Sequence, residues 1–277
     1  MARSIFYRTK SPQGPWVRAA GTVPYEISGL ANDTTYEVDI GDGALIDVTP
    51  TASYSEAPFV ADGGDYLTGP GRIADAGSFL FFASYRPTTT GRKSLLSVNG
   101  INGAFYTWDG LVPRFACATD AGFLLLAGPG AASHTRLHLL MRGFADSGSF
   151  IVEGTVWNGA DDAWSSVFST SVPGSTVQLE TGTTEDYRIL QRSGSTNHGF
   201  IGDAYRIAFW TGTAPDISLG SVREAFADGG AIVDPAISTS AFGIPIIDAY
   251  GPAARMNAGT NAGSDGAFSV TGSFEDG

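Results

Sequence analysis

The chain has 277 residues, 43% of them hydrophobic, and carries 16 Lys and Arg against 28 Asp and Glu, a formal charge of −12. That is enough apolar material for a sizeable core. The acidic balance argues against nucleic acid as a partner, because such binding rests on Lys and Arg neutralising phosphates. The single cysteine, Cys117, excludes an internal disulfide, and no run approaches the roughly 20 apolar residues that a bilayer crossing needs, so no membrane insertion is expected.

In chain order, short apolar runs bounded by Gly, Pro, Asn, Asp or Ser predict strands over 4–8, 36–40, 79–85, 136–141, 150–157, 163–170 and 188–191. The N-terminal "MARSIFYRTK" has no apolar signal region, so synthesis in a cytoplasm is expected. A composition shift at "TPTASYSEAP" places a boundary between 1–52 and 57–277. Alternation from Tyr205 puts Tyr205, Ile207 and Phe209 on one strand face and Arg206, Ala208 and Trp210 on the other. Phe209 is expected in the core, and Trp210 between the two sheets or at their rim. A helix is predicted only at "SVREAFADGG" (221–230), with the glycines ending it. The last stretch, from Tyr250, is rich in Gly, Ala and Asn and reads as a long loop, a last strand and a contact surface.

Two hairpin tips join flat aromatic faces to planar hydrogen-bonding groups, the mix with which proteins hold sugars. One is "TVWNGADDAW", with Trp157, Asn158, Asp161, Asp162 and Trp164; the other is "FYTWDG", with Tyr106, Trp108 and Asp109. The competing reading has these aromatics capping the end of a core. Carboxylates Glu37, Asp39 and Asp42 of "EVDIGD" are spaced somewhat like a glycosidase strand, but alternation turns Tyr36, Val38 and Ile40 inward and Glu37 and Asp39 to solvent, so no catalysis is expected. His134 and His138 are four apart on a strand pattern, and that spacing converges on a metal only on a helix. Asp62, Asp65, Asp161 and Asp162 sit beside turn residues, which polar turn chemistry explains as well as Ca²⁺ does. Cys117 reads as a small core residue, and no nucleophile elbow, P-loop or dinucleotide fingerprint is present.

Leu30, the turn after it and Tyr36-Glu37-Val38-Asp39-Ile40 resemble the second half of a fibronectin type III domain. Half a sandwich leaves an apolar face uncovered, which implies an obligate assembly, a homo-oligomer among the candidates. "FVADGGDYLTGPG" (59–71), "GSFLFFASYRP" (77–87) and "GFIGDAYRIAFWTGTAPD" (199–216) resemble the concanavalin A-like jelly roll of laminin G-like and pentraxin-like domains. The implied fold is all-β: a truncated fibronectin-like sheet over 1–52, then an antiparallel jelly-roll sandwich over 57–277. No cofactor is implied except the Ca²⁺ common among such relatives. The combination resembles bacteriophage tail fibre, spike and decoration proteins. It implies a non-enzymatic virion protein, made in the host cytoplasm, with other virion proteins and host cell-surface polysaccharide as partners. A purely architectural decoration protein and a polysaccharide hydrolase are the alternatives.

Overall fold

The structure, a computed structural model, describes residues 6–10, 13, 17–18, 36–39, 45–48, 56–98, 103–108, 111–180, 186–192, 198–212 and 219–277. It divides into two compact units, Met1–Tyr54 and Ser55–Gly277.

In the first unit, strands β1 (Phe6–Thr9), β2 (Val17–Arg18), β3 (Tyr36–Asp39) and β4 (Leu45–Val48) form one antiparallel sheet in the order β2-β1-β3-β4. Arg8 lies across from Glu37 in this ladder and its Nε donates to the Glu37 carboxylate at 2.8 Å. Glu37 is therefore half-buried in an ion pair rather than simply facing solvent. Leu30 and Asp42 lie outside the described residues, as do the side chains of Tyr36, Val38 and Asp39.

The second unit begins with β5 (Phe59–Asp62), β6 (Tyr66–Thr68), β7 (Ser78–Pro87), β8 (Lys93–Ser97), β9 (Gly103–Trp108), β10 (Val112–Ala118) and β11 (Phe123–Ala127). It continues with β12 (Leu137–Asp146), β13 (Ser149–Asn158), β14 (Ala163–Trp164), β15 (Phe168–Pro173), β16 (Arg188–Ile189) and β17 (Ile201–Thr211). After helix α1 (Leu219–Val222) come β18 (Ala227–Asp228), β19 (Ala231–Ile232), α2 (Pro235–Phe242), β20 (Ile247–Tyr250), α3 (Ala253–Asn257), β21 (Ser269–Thr271) and β22 (Glu275–Asp276). Among the described residues the two large sheets are antiparallel, a seven-stranded one ordered β11-β10-β9-β8-β16-β6-β21 and a nine-stranded one ordered β14-β13-β12-β7-β17-β5-β22, with β15 added on β13 and β20 on β17, and β18 and β19 form a separate two-stranded ladder.

The sheets bury their facing sides against each other. Phe79, Phe81, Leu139, Met141, Phe150, Ile207 and Phe209 of the larger sheet meet Leu96, Phe105, Phe115, Cys117 and Leu126 of the smaller one. The Phe81 and Phe105 rings stack with centroids 3.8 Å apart, and Phe79 lies 5.9 Å from Phe209. Phe209 is therefore core, as alternation predicts. Burial pushes the Cys117 thiol up to about 12, in keeping with an inert packed residue.

"SFLFFASY" in β7 does not alternate, because both of its faces are covered. The segment 219–242 lies over the outer side of the nine-stranded sheet. There Phe226 stacks on Phe82 at 5.0 Å and on Phe242 at 5.5 Å, and meets Trp210 edge-on at 5.7 Å. Trp210 accordingly sits neither between the sheets nor at their rim. It is 2% exposed under this cover, its Nε1 donating to the Gly243 carbonyl at 2.8 Å. Arg206, on the same face, is fully buried.

The predicted helix over 221–230 is also revised. One short turn of α1 runs into a 3₁₀ turn, Arg223–Ala225, and Gly229-Gly230 closes the β18–β19 hairpin instead of capping a helix. The predicted strand over 163–170 breaks into β14 and β15. The predicted last strand forms as β21, joined to β6, and the stretch before it holds α3 where a loop is predicted; β22 joins β5, and Phe268 and Phe274 are buried, Phe274 edge-on to Phe59 at 5.5 Å.

Candidate functional site

One of the two predicted tips forms a cleft. At the end of β13, Asn158 Oδ1 accepts the Ala160 N–H at 3.0 Å while its Nδ2 donates to Asp161 at 2.8 Å. This side-chain turn, completed by Asp162 at a positive φ of 47°, reverses the chain so that β14 returns beside β13. The result is a cleft of about 170 Å³, bordered by Asn158, Asp161, Ala163, Trp164 and Ser165 on one side and by loop 129–131 on the other. Leu137 and Val156 lend it an apolar floor.

Trp164 is half-buried and held from outside the tip. The Arg223 guanidinium lies 5.2 Å from its ring centre, and Arg223 Nη2 donates to Thr155 Oγ1 at 2.9 Å and to the Ser165 carbonyl at 3.1 Å. Burial lowers the pKa of Arg223 from its ordinary value. Asp161 is exposed, and a carboxylate that gives one acceptor to Asn158 keeps room for two or more hydroxyl donors. A carboxylate and a carboxamide thus border an apolar floor, with Trp164 at the edge of the cleft and its ring lying 6.3 Å from that of His138, on the face it shares with Trp157.

Trp157 does not join them. It is Cα-paired with Trp164, yet it is only 5% exposed, stacked on His138 at 4.7 Å and covered by Gly230, where an added Cβ would stand 3.0 Å from the indole. At this residue the packing reading prevails. Asp162 is exposed in the turn but does not line the cleft. Tyr106 lies on the other sheet, 5% exposed beneath Arg92 at 4.5 Å, so the second tip does not merge with the first. Asp109 and the side chain of Trp108 lie outside the described residues.

Sequence reasoning missed Arg223, Ser165, Leu137, Val156 and loop 129–131. Only the glycine-rich "GPGAAS" marked that loop, and nothing local tied it to the tip.

The two histidines part company. His134 occupies an exposed turn at a positive φ of 64°, whereas His138 is buried with its Nδ1 2.9 Å from Ser84 Oγ. Burial, and secondarily Arg136, pushes His138 down to about 3. The unfolded side chain titrates near 6.5, so its neutral form stabilises the fold fully above that pH and progressively less as pH falls towards 3. Wild type should lose about 1.4 kcal/mol per pH unit below 6.5 relative to His138→Gln, read from urea midpoints at pH 7 and pH 5. Parallel pH profiles for the two proteins would refute this.

Asp65 accepts the Asp62 N–H at 3.1 Å and the Ser273 N–H at 2.8 Å, fastening the C-terminal strap. Among the described residues, no three metal-ligating side chains gather in one place.

No known protein family matches the chain, and no curated protein matches it. Solved structures do. A Bacteroides ovatus protein assigned to carbohydrate binding aligns with a TM-score of 0.51 at 10% identity, over 90% of this chain and 70% of that one. A heptameric serum amyloid P-like pentraxin from Limulus polyphemus aligns at 0.44 and 9% identity, over 79% and 95%. The enzymatically active domain of tailspike protein 2 from bacteriophage CBA120 aligns at 0.38 and 16%, over 57% of this chain and 25% of the tailspike chain, so the present chain spans about a quarter of that protein's length. The first of these likenesses is one of fold: an antiparallel β-sandwich.

Proposed function

We propose that this protein is a non-enzymatic glycan-binding module, displayed on a bacteriophage particle as a tail fibre, spike or receptor-binding component that adheres to host cell-surface polysaccharide. The observation that carries the binding role is the cleft in which Asn158, Asp161 and Trp164 meet above an apolar floor. The sandwich fold supports it as a scaffold on which such sites are built, fold alone being no warrant of function. Placement on a virion, with other virion proteins and further copies of the chain as partners, rests on the combination of modules that the sequence resembles. The burial of Trp157 and Tyr106 favours an architectural reading at those two residues alone.

Purified protein should bind intact host cells, and Asp161→Ala and Trp164→Ala should each weaken binding about tenfold, equivalent to about 1.4 kcal/mol. Asp161→Ala should do so with stability unchanged within about 0.5 kcal/mol, since that side chain is exposed. A chain that binds no host cells, and associates only with virion proteins, would replace this reading with the architectural one. Release of reducing ends, abolished by Asp39→Asn, would replace it with hydrolysis.

A further inference from the structure

The lining of the cleft at the end of β13 narrows the chemistry of what it can hold. Loop 129–131 on one side and Ala163, Trp164 and Ser165 on the other belong to stretches, 121–133 and 163–179, that contain no Asp, Glu, Lys or Arg. Asp161 is the one ionisable residue among those that border the cleft. The neighbouring cations are engaged elsewhere. Arg136 pairs with Glu56 and lies over the Tyr205 ring at 3.9 Å, and Arg223 is tied to Thr155 and to the Ser165 carbonyl. A carboxylated or sulfated sugar entering here meets Asp161, with Asp162 beside it in the turn, and no bordering cation to offset them.

The hydrogen-bonding groups are few and mostly occupied. Asn158 gives Oδ1 to the Ala160 N–H and Nδ2 to Asp161, and Ser165 Oγ accepts the Val156 N–H at 3.1 Å and donates to the Ser166 carbonyl at 2.9 Å. What is left is acceptor capacity on the exposed Asp161 and, on the facing loop, the peptide groups of Gly130 and Ala131, which enter no hydrogen bond among the described residues. The rest is apolar: Pro129 and Ala163 are exposed, Ala131 is half-buried, and Leu137 and Val156 are buried beneath them.

Volume then limits what enters. The 170 Å³ of the cleft is close to the roughly 150 Å³ of an engineered apolar cavity that takes one benzene ring, and below the roughly 300–1,000 Å³ of pockets that enclose larger ligands. The cleft therefore suits one residue of a glycan and not a length of chain.

We infer that the cleft selects a single uncharged sugar residue carrying an acetamido group, presented at a chain end or as a branch. That group supplies what the lining lacks: an N–H donor for Asp161, a carbonyl acceptor for a peptide N–H of loop 129–131, and a methyl for the apolar surface. A plain hydroxyl offers the donor without the methyl, and a uronate brings a second carboxylate beside Asp161. An ammonium sugar satisfies Asp161 but sets a charge against the apolar surface. The inference rests on the reading of the chain as a glycan binder, and it gives that reading a class of ligand.

Ligand-observed NMR tests it with the methyl glycosides of N-acetylglucosamine, N-acetylgalactosamine, glucose, glucosamine and glucuronic acid. At least one acetamido glycoside should bind wild type about tenfold or more tighter than the glucoside, with the glucuronide weakest. Asp161→Ala should lose about tenfold in acetamido binding. Asp161→Asn, which keeps an acceptor and removes the charge, should retain the acetamido preference while the glucuronide rises to the level of the glucoside. Ala131→Phe, which fills the cleft, should abolish binding; should it misfold, the two Asp161 variants carry the readout, since that side chain is exposed. Equal binding of glucoside and acetamido glycosides, tightest binding of the glucosamine glycoside, or an acetamido preference unchanged in Asp161→Ala would each overturn the inference. Host cells separate the two readings. Cell binding without an acetamido preference ends the inference alone, whereas a chain that binds neither cells nor any of these glycosides ends the glycan-binding reading with it.

Discussion

Replacing Asp248 by Ala should cost about 3–5 kcal/mol of stability. Arg206 is fully buried and forms a two-pronged pair with Asp248, Nε to Oδ1 at 2.8 Å and Nη2 to Oδ2 at 2.9 Å, while Nη2 also donates to Ser238 Oγ at 3.0 Å. Its Nη1 already has no hydrogen-bond partner. Removing the carboxylate leaves a guanidinium in the interior with a hydroxyl as its remaining side-chain acceptor, and the cost of that uncompensated charge exceeds what the pair itself contributes. The pair joins β17 and β20 to α2, so α2 amides should lose hydrogen-exchange protection before the core strands do. Urea unfolding measures the total. A loss under about 1 kcal/mol would show that water or a neighbour reaches Arg206, and a joint Arg206→Met/Asp248→Leu replacement should fall close to wild type.

Trp157→Ala should cost a similar amount, about 3–5 kcal/mol, for a different reason. The indole is a packing element between His138 and the β18–β19 hairpin, so truncation opens a cavity on the outer side of the nine-stranded sheet and unseats the hairpin tip. Host-cell binding by the fraction that remains folded should be retained. Trp164→Ala should show the opposite pattern, a smaller stability loss and a larger binding loss, because Trp164 is half-buried and is one of the residues that line the cleft. A Trp157→Ala protein that melts like wild type would return Trp157 to the list of candidate sugar contacts.

The two Trp residues show how far local pattern reaches. "TVWNGADDAW" announces a turn through Asn158 and the residues after it, and the turn forms with the side-chain hydrogen bonds that Asn and Asp favour. Which Trp meets solvent depends on residues far along the chain: Gly230 covers Trp157, and Arg223 clamps Trp164. The arginines around Tyr106 are harder still to foresee, because Arg92 and Arg114 reach it only when β8, β9 and β10 align.

What the sequence determined by itself is the all-β class, the positions of most long strands, Phe209 and Cys117 as core, and a polar turn at Asn158. These follow from period-two alternation and turn chemistry, which act between residues a few positions apart. What the tertiary structure decided is the fate of every residue on the outer sheet faces. Arg206, Trp210 and Trp157 occupy positions that an uncovered sheet would leave wet, and they are buried because the segment 219–242 folds back over them. On the opposite sheet Arg92 and Arg114 stay half-exposed around Tyr106. Alternation assigns a side chain to a face, and only long-range packing determines whether that face is covered.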